Sequence, residues 1–405
     1  MRLIFSAFLI FTTLGLAAQK HTAYFDNGNL KEEGKYKKNL PVKTWIFYHE
    51  NGVKWAEGLY VKGSKTGIWN YYDEEGYLDE TGIYEQGERT GKWNGFHPDG
   101  SVEYEGFYKD GNRVEDWKYY YTNGTISHEG NFDNDLQTGT WNYYYESGQL
   151  KETGKWLEDV PDGTWKYYTE NGKLSQTGAW KNHQEEGKWS FYSENGALEE
   201  EGDYVAGKQH GKWTYYYENG TIQQVGHWKE DENDGEWLYY HPNGKLEKKG
   251  YWENGKTVGI WTYYYDNGNV TEEGSYNSDG DQIGEWKYYY ESGKLKKTGN
   301  WINGVSHGTW TYYYENGTIE KTGEFVDGSA SGKWVYFSED GYKTDEGNWT
   351  NGTMNGTWTY YYKNGKIHEQ GPWVNSIQHG TWKYYSETGK LIDEQQWVDG
   401  KASGS

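Results

Sequence analysis

The chain has 405 residues, no cysteine, a formal net charge of −22 and an apolar share of 34%, much of which is Tyr and Trp. Absence of cysteine excludes disulfides, thiolate metal sites, a Cys nucleophile and a lipidated N-terminal Cys. The acidic surface repels phosphate backbones and anionic headgroups, so no nucleic acid or acidic membrane is expected as partner. So polar a composition commonly means disorder, but an aromatic content of 19% points instead to thin β-structure held by aromatic contacts.

Residues 1–18 read as an export signal. Arg2 supplies the positive start, Leu3–Leu16 a mostly apolar run, and Gly15-Leu16-Ala17 the small residues for cleavage near Ala17 or Ala18. The run is shorter than the ~20 residues a membrane span requires. No second apolar segment follows, so no membrane insertion is expected after cleavage. The expected destination is exported: periplasmic, cell-surface or secreted.

Residues 19–400 are copies of one unit, seen in Gly139–Trp156. With Trp141 as position 0, Gly stands at −2, aromatics at 2 and 3, Gly at 7, an aliphatic residue at 9, Gly at 13 and an aromatic at 15. The position-0 Trp recurs fifteen times from Trp45 to Trp382, every 24 residues except for the 25 between Trp261 and Trp286. Such a period marks a repeat architecture. A first copy with His21 in the Trp slot reads as a terminal cap. Residues 401–405 read as a polar tail.

Aromatics at even spacing between glycines, without a 3.6-residue period, predict strands over about positions −2 to 4 and 8 to 15. Gly at 7, Pro98 and Pro242 at 5, and Glu75 or Thr388 at 6 favour a type I turn closed by a left-handed glycine, a three-residue hairpin. That register sets 4 opposite 8 and 0 opposite 12. Trp141 and Tyr143 would then lie on one face and Gly154 and Trp156 on the other. A type I′ turn would shift the pairing by one and put both aromatic sets on one face. The polar linking loops, rich in Asn-Gly and Asp-Gly, join the hairpins. The expected fold is all-β: about sixteen 24-residue hairpins in an elongated, twisted antiparallel meander sheet. The loop after Tyr276, with one extra residue, is expected to bulge.

The run Gly207-Lys208-Gln209-His210-Gly211, then Trp213-Thr214-Tyr215-Tyr216-Tyr217-Glu218-Asn219-Gly220, closely resembles the MORN-variant repeat of bacterial YwqK-type antitoxins. The resemblance covers about residues 21–400. It implies strings of β-hairpins acting through protein–protein contacts, with no catalytic residue to carry over; the export signal departs from a cytoplasmic antitoxin. A looser similarity is to Gram-positive choline- and glucan-binding repeats, whose period is shorter.

No nucleophile elbow, phosphate loop or dinucleotide fingerprint is present. The charged runs Lys151-Glu152 and Glu199-Glu200-Glu201 read as solvated cross-strand faces. His210, His307 and His379 stand singly before a Gly, and the acidic loops Glu230–Asp234 and Asp279–Asp281 lack the twelve-residue calcium pattern. Asn123, Asn219 and Asn316 in turns, and Asn351 and Asn355 in a loop, read as structural. No catalytic, cofactor or metal site is expected, and no cofactor. The expected function is a non-enzymatic exported scaffold binding a protein such as a toxin or an envelope protein. The alternative is an envelope glycan-binding protein using an exposed aromatic ladder. Positions 4, 10 to 12 and the linking loops are left for recognition.

Overall fold

The computed structural model describes residues 17–402, so the proposed leader up to residue 16 lies outside it. Among the described residues every helix-or-strand element is a strand, from Gln19–Tyr24 to Lys401–Ala402. Two compact units are formed: one runs to Glu186 and includes Tyr192–Gly196, the other comprises Gly187–Phe191 and the residues from Ala197 onward. Within each, successive strands pair antiparallel as a meander, save that Ile377–Gln378 and Gly380–Tyr385 both pair with Ile367–Val374. The first unit runs from the pair Gln19–Tyr24 and Leu30–Lys37 to the pair Val160–Tyr168 and Leu174–Lys181. The second runs from Leu198–Val205 with Lys208–Tyr216 to Leu391–Val398 with Lys401–Ala402. That last pairing takes the meander two residues past the expected boundary at 400.

The hairpin turn is the expected one. Tyr145 N–H donates to Gln149 O at 2.9 Å, Gly148 N–H donates to Tyr145 O at 2.8 Å, and Gly148 has φ +84°. The register beyond it differs from the expectation. Tyr144 pairs with Leu150, but Tyr143 pairs with Glu152 and Trp141 with Gly154, so Lys151 is an extra residue on the second strand. This bulge returns Trp141, Tyr143, Gly154 and Trp156 to one face. A one-residue bulge flips every side chain beyond it, which a turn-based register cannot anticipate.

A second irregularity lies between copies. Thr153 pairs with Lys166 and Lys155 with Asp162, so Gly154 alone faces Gly163–Trp165. Gly163 absorbs the excess in the left-handed region, at φ +71°. The indole of Trp165 thereby lies flat on the next strand back, where a Cβ on Gly154 would come within 2.0 Å of the Trp165 ring. The two glycines of the motif therefore serve different ends. Gly at 13 makes space for the Trp of the following copy, not its own. Gly at −2, such as Gly139, has nothing near a would-be Cβ and is needed for its backbone alone.

Lys43 and Glu115 occupy the −2 place without being glycine, at φ 65° and 60°. Left-handed backbone costs an L-residue roughly 1–2 kcal/mol, partly offset by the extra freedom glycine has when unfolded. Glu115→Gly is accordingly expected to raise stability by up to about 1 kcal/mol; a thermal melt with unchanged or lower midpoint would contradict this reading of the −2 position.

The linking loops are mostly two-residue turns with both residues left-handed, as at Glu158 (φ 51°) and Asp159 (φ 65°), the type I′ signature. The loop with the extra residue changes type. Asn277 N–H donates to Asp281 O and Gly280 N–H to Asn277 O, the bonding of the three-residue hairpin.

Candidate interaction surface

The sheet's aromatic face is built from positions 0, 2 and 15. The fifteen position-0 tryptophans are between 0 and 4% exposed. Nearly all lie on a position-13 glycine, and in nearly all copies the indole N–H donates to the carbonyl of position 14 one copy back, as from Trp165 to Lys155 O at 3.2 Å. Position-2 rings stack between successive tryptophans. Tyr143 is 6.2 Å from Trp141 and 6.3 Å from Trp165, both at 29°. The position-15 ring meets the next tryptophan edge-on, Trp156 to Trp165 at 5.5 Å and 85°. This is the offset and T-shaped geometry that ring quadrupoles favour. His21 occupies the Trp slot of the first copy, 5.5 Å from Trp45, as a cap should.

The opposite face is tied by polar bonds. Tyr at position 3 donates to Glu at position 12 of the preceding copy, as Tyr144 to Glu129 at 2.9 Å and Tyr361 to Glu346 at 2.7 Å. Burial opposes ionisation of Glu346, but hydrogen bonds from Tyr361, Lys333 and Lys343 outweigh it and hold the carboxyl at about 2. Position 4 also proves structural: the Tyr145 hydroxyl donates to Tyr168 O at 2.8 Å, and Tyr217 does the same to Tyr240 O at 2.7 Å. It is thus withdrawn from the set expected for recognition, as is position 12 wherever it holds Glu.

What varies freely on the aromatic face is position 11, beside position −4 of the following copy. Glu80 at 11 and Arg89 at −4 form a bidentate pair at 2.7 and 2.8 Å, and the guanidinium sits 4.1 Å over the Trp93 ring. Tyr104, itself at 11, fills the space left by Gly95 and donates to Glu80 at 2.5 Å. His128 at 11 stacks on Tyr119 at 4.1 Å, and burial pushes its pKa down. Lys297 and Lys321 at 11 lie 4.1 and 4.7 Å over Tyr288 and Tyr312. Glu152, Glu200 and Glu272 are half-buried there, and desolvation raises the pKa of each. At Glu152 the face hollows into a concavity of about 360 Å3 lined by Tyr143, Glu152, Trp156, Pro161, Trp165, Tyr167 and Trp180.

This geometry can be set beside known proteins. The MORN repeat variant family matches fourteen segments of the sequence, from 20–38 to 378–399, which together make up more than half of it. The chain belongs to the MORN repeat variant family. The MORN variant segments skip the copies around Trp69 and Trp334, yet there too Trp69 faces Gly82 and Trp334 faces Gly347, in the common register. No curated protein matches the chain. Among solved structures, the crystal structure of TcdB2-TccC3-Cdc42 is similar at 11% identity over 94% of this chain and 26% of that one, with a TM-score of 0.15. The Photorhabdus luminescens Tc holotoxin pore with the TccC3-D651A mutation gives 11% identity over 94% and 25%, again with a TM-score of 0.15. The MORN variant chain thus spans about a quarter of the length of those chains.

The residues singled out in the sequence are dispersed. His210, His307 and His379 are exposed, and among the described residues no three His, Asp or Glu converge as a metal set. Asp231 sits in a linking turn and accepts from Gln209 N–H at 2.7 Å. Asp279 and Asp281 both donate their N–H to Asn277 Oδ1 at 2.9 Å. The Asn123, Asn219 and Asn316 amides bridge to Glu146, Pro242 and Glu339 carbonyls one copy on. Asn355 Oδ1 accepts from Asn375 N–H at 3.1 Å, and Asn351 is a left-handed turn residue. Lys151 is exposed. The three acids 199–201 divide among surfaces: Glu199 is exposed, Glu200 lies on the aromatic face, and Glu201 is bound by Lys188 at 2.8 Å and Tyr216 at 3.1 Å on the other.

The raised pKa of Glu200 carries a sign. The folded chain holds its proton more tightly than the unfolded one, so stability falls as pH rises from the ordinary carboxylate range through the raised value. Glu200→Gln is expected to be more stable than the parent at pH 7 and equal to it near pH 4; melts at the two pH values showing no such convergence would contradict the burial.

Proposed function

We propose that this MORN variant chain is a non-enzymatic, exported scaffold that binds another protein along its aromatic face, in an antitoxin- or immunity-like role by its YwqK-type resemblance. The observation that carries this reading is the division of labour within each copy. Nearly every consensus residue is consumed by turns and ring packing, while position 11 and its −4 neighbour change from copy to copy on a semi-exposed aromatic ground. Aromatic residues are enriched at protein-recognition surfaces, and charges that differ from copy to copy supply partner specificity. Catalysis instead needs acid, base or nucleophile side chains brought together, and the candidate residues are scattered. The partner is a protein such as a toxin or an envelope protein, with nucleic acid and acidic membrane disfavoured by the charge of −22.

The test is affinity capture from envelope fractions with the parent chain and with Glu272→Lys/Lys297→Glu, which exchanges charges along the position-11 row. A partner retained by the parent and lost by the equally folded variant is expected; retention by both, or by neither, removes this reading. The glycan alternative loses the position-0 rings, which are buried, and keeps the edges at positions 2 and 15 with scattered exposed rings such as Trp55 and Tyr251. A flat calorimetric titration with cell-wall polysaccharide fragments would dismiss it.

A further inference from the structure

The repeat carries an internal comparison at the concavity around Glu152. Each of its seven lining residues has a counterpart three copies earlier: Tyr71 for Tyr143, Glu80 for Glu152, Tyr84 for Trp156, Arg89 for Pro161, Trp93 for Trp165, Gly95 for Tyr167 and Tyr108 for Trp180. In the earlier copy the place is filled. Arg89 holds both carboxylate oxygens of Glu80 at 2.7 and 2.8 Å and lies 4.1 Å over Trp93 and 5.2 Å over Tyr108. In the later copy Pro161 stands where Arg89 was. The acid remains, half-buried, and makes no ion pair among the described residues; the aromatic walls are larger, and about 360 Å3 is open.

We propose that this concavity binds a guanidinium group, presented as an arginine side chain by a protein partner. Charge and shape favour that occupant over others. Guanidinium is planar, weakly hydrated and always charged, so it can stack on the Trp165 indole while forking onto Glu152. Lysine's ammonium is more strongly hydrated and cannot fork, and a neutral sugar leaves a half-buried carboxylate without its counter-charge. Burial pushes the Glu152 pKa up against the opposing charge of Lys151, a desolvation that a paired guanidinium would relieve. The net charge of −22 draws basic segments toward the chain. The proposal rests on the scaffold reading only in that a partner chain supplies the arginine.

The test uses the full chain after signal removal. Isothermal titration with a blocked Gly-Arg-Gly peptide, its citrulline and lysine counterparts, and methylguanidinium is compared across three proteins: parent, Glu152→Gln and Pro161→Arg. The parent is expected to bind the arginine peptide at least tenfold more tightly than the citrulline peptide, and more tightly than the lysine one. Glu152→Gln should lose at least tenfold. Pro161→Arg, which restores the residue type found at Arg89 and Arg113, should abolish peptide binding and raise the melting temperature by filling the place from within. Equal binding of arginine and citrulline peptides, or binding indifferent to both substitutions, overturns the proposal. Methylguanidinium binding as tightly as the peptide would overturn the partner-chain source and point to a free guanidino compound. Peptide binding with no protein captured from envelope fractions sinks the scaffold reading alone. A partner captured equally by parent and Glu152→Gln, without peptide binding, sinks the arginine site alone.

Discussion

Trp237→Ala is expected to destabilise the second unit by about 3–5 kcal/mol, the range for a large buried aromatic. Trp237 is 2% exposed. It is stacked by Tyr215 at 6.3 Å and Tyr239 at 5.9 Å, and Trp228 meets it edge-on at 5.6 Å. Its indole N–H donates to His227 O at 3.1 Å. Removing it opens a cavity, frees a carbonyl and separates two neighbouring copies at once. Because each copy of a repeat array contacts chiefly its neighbours, the loss is expected to uncouple the copies on either side, splitting or broadening the urea transition. Trp349→Ala, at the half-buried position 15, should cost less and leave a single transition. Hydrogen exchange along the second unit provides the check. A loss below about 1 kcal/mol with unchanged cooperativity would mean that the stacked tryptophans are not the core.

Gly226→Ala is the second large effect, and it adds a single methyl group. A Cβ there would come within 2.0 Å of the Trp237 ring, so either the indole or the strand must move. Overpacking of this kind costs typically 1–3 kcal/mol and occasionally more; with a ring fused to backbone, about 3 kcal/mol is expected. The control is Gly211→Ala at position −2. There nothing lies within 4 Å of a Cβ and only the left-handed φ of +69° is penalised, at roughly 1–2 kcal/mol. A double variant, Gly226→Ala with Trp237→Ala, should cost far less than the sum, since the methyl then enters the space the indole left. Additive losses in denaturant melts would show that the glycine is kept for its backbone and not for the ring.

Much of this was legible in the residues. A 24-residue period, a glycine at 7 tolerating Glu75 or Thr388 before it, and Asn-Gly or Asp-Gly loops were enough for the hairpins, their turn type and the meander. The extra residue after Tyr276 did mark a changed turn. The faces were not legible. Lys151 and its equivalents bear no mark of a bulge, because a bulge shows in pairing and leaves no composition of its own. Gly154 pairs with Trp141 of its own copy, yet the indole it admits is that of Trp165 in the next copy, which no local pattern shows. Position 4, read as free, is held by Tyr145 and its equivalents through a carbonyl 23 residues away, a contact between copies that local pattern does not contain.

The concavity shows the same limit from the side of function. Glu152 and Pro161 are unremarkable in sequence, and so are Glu80 and Arg89, each pair nine residues apart. They become comparable only once the two bulges place 11 and −4 side by side over the same tryptophan. The sequence by itself determined the period, the turns and the all-β meander, because glycine conformation and strand alternation are local physics. Only the tertiary structure decided which face the rings share, which glycine admits which indole and where a half-buried carboxylate makes no ion pair among the described residues. Those outcomes depend on register between copies, and register is set by the packing of the whole face.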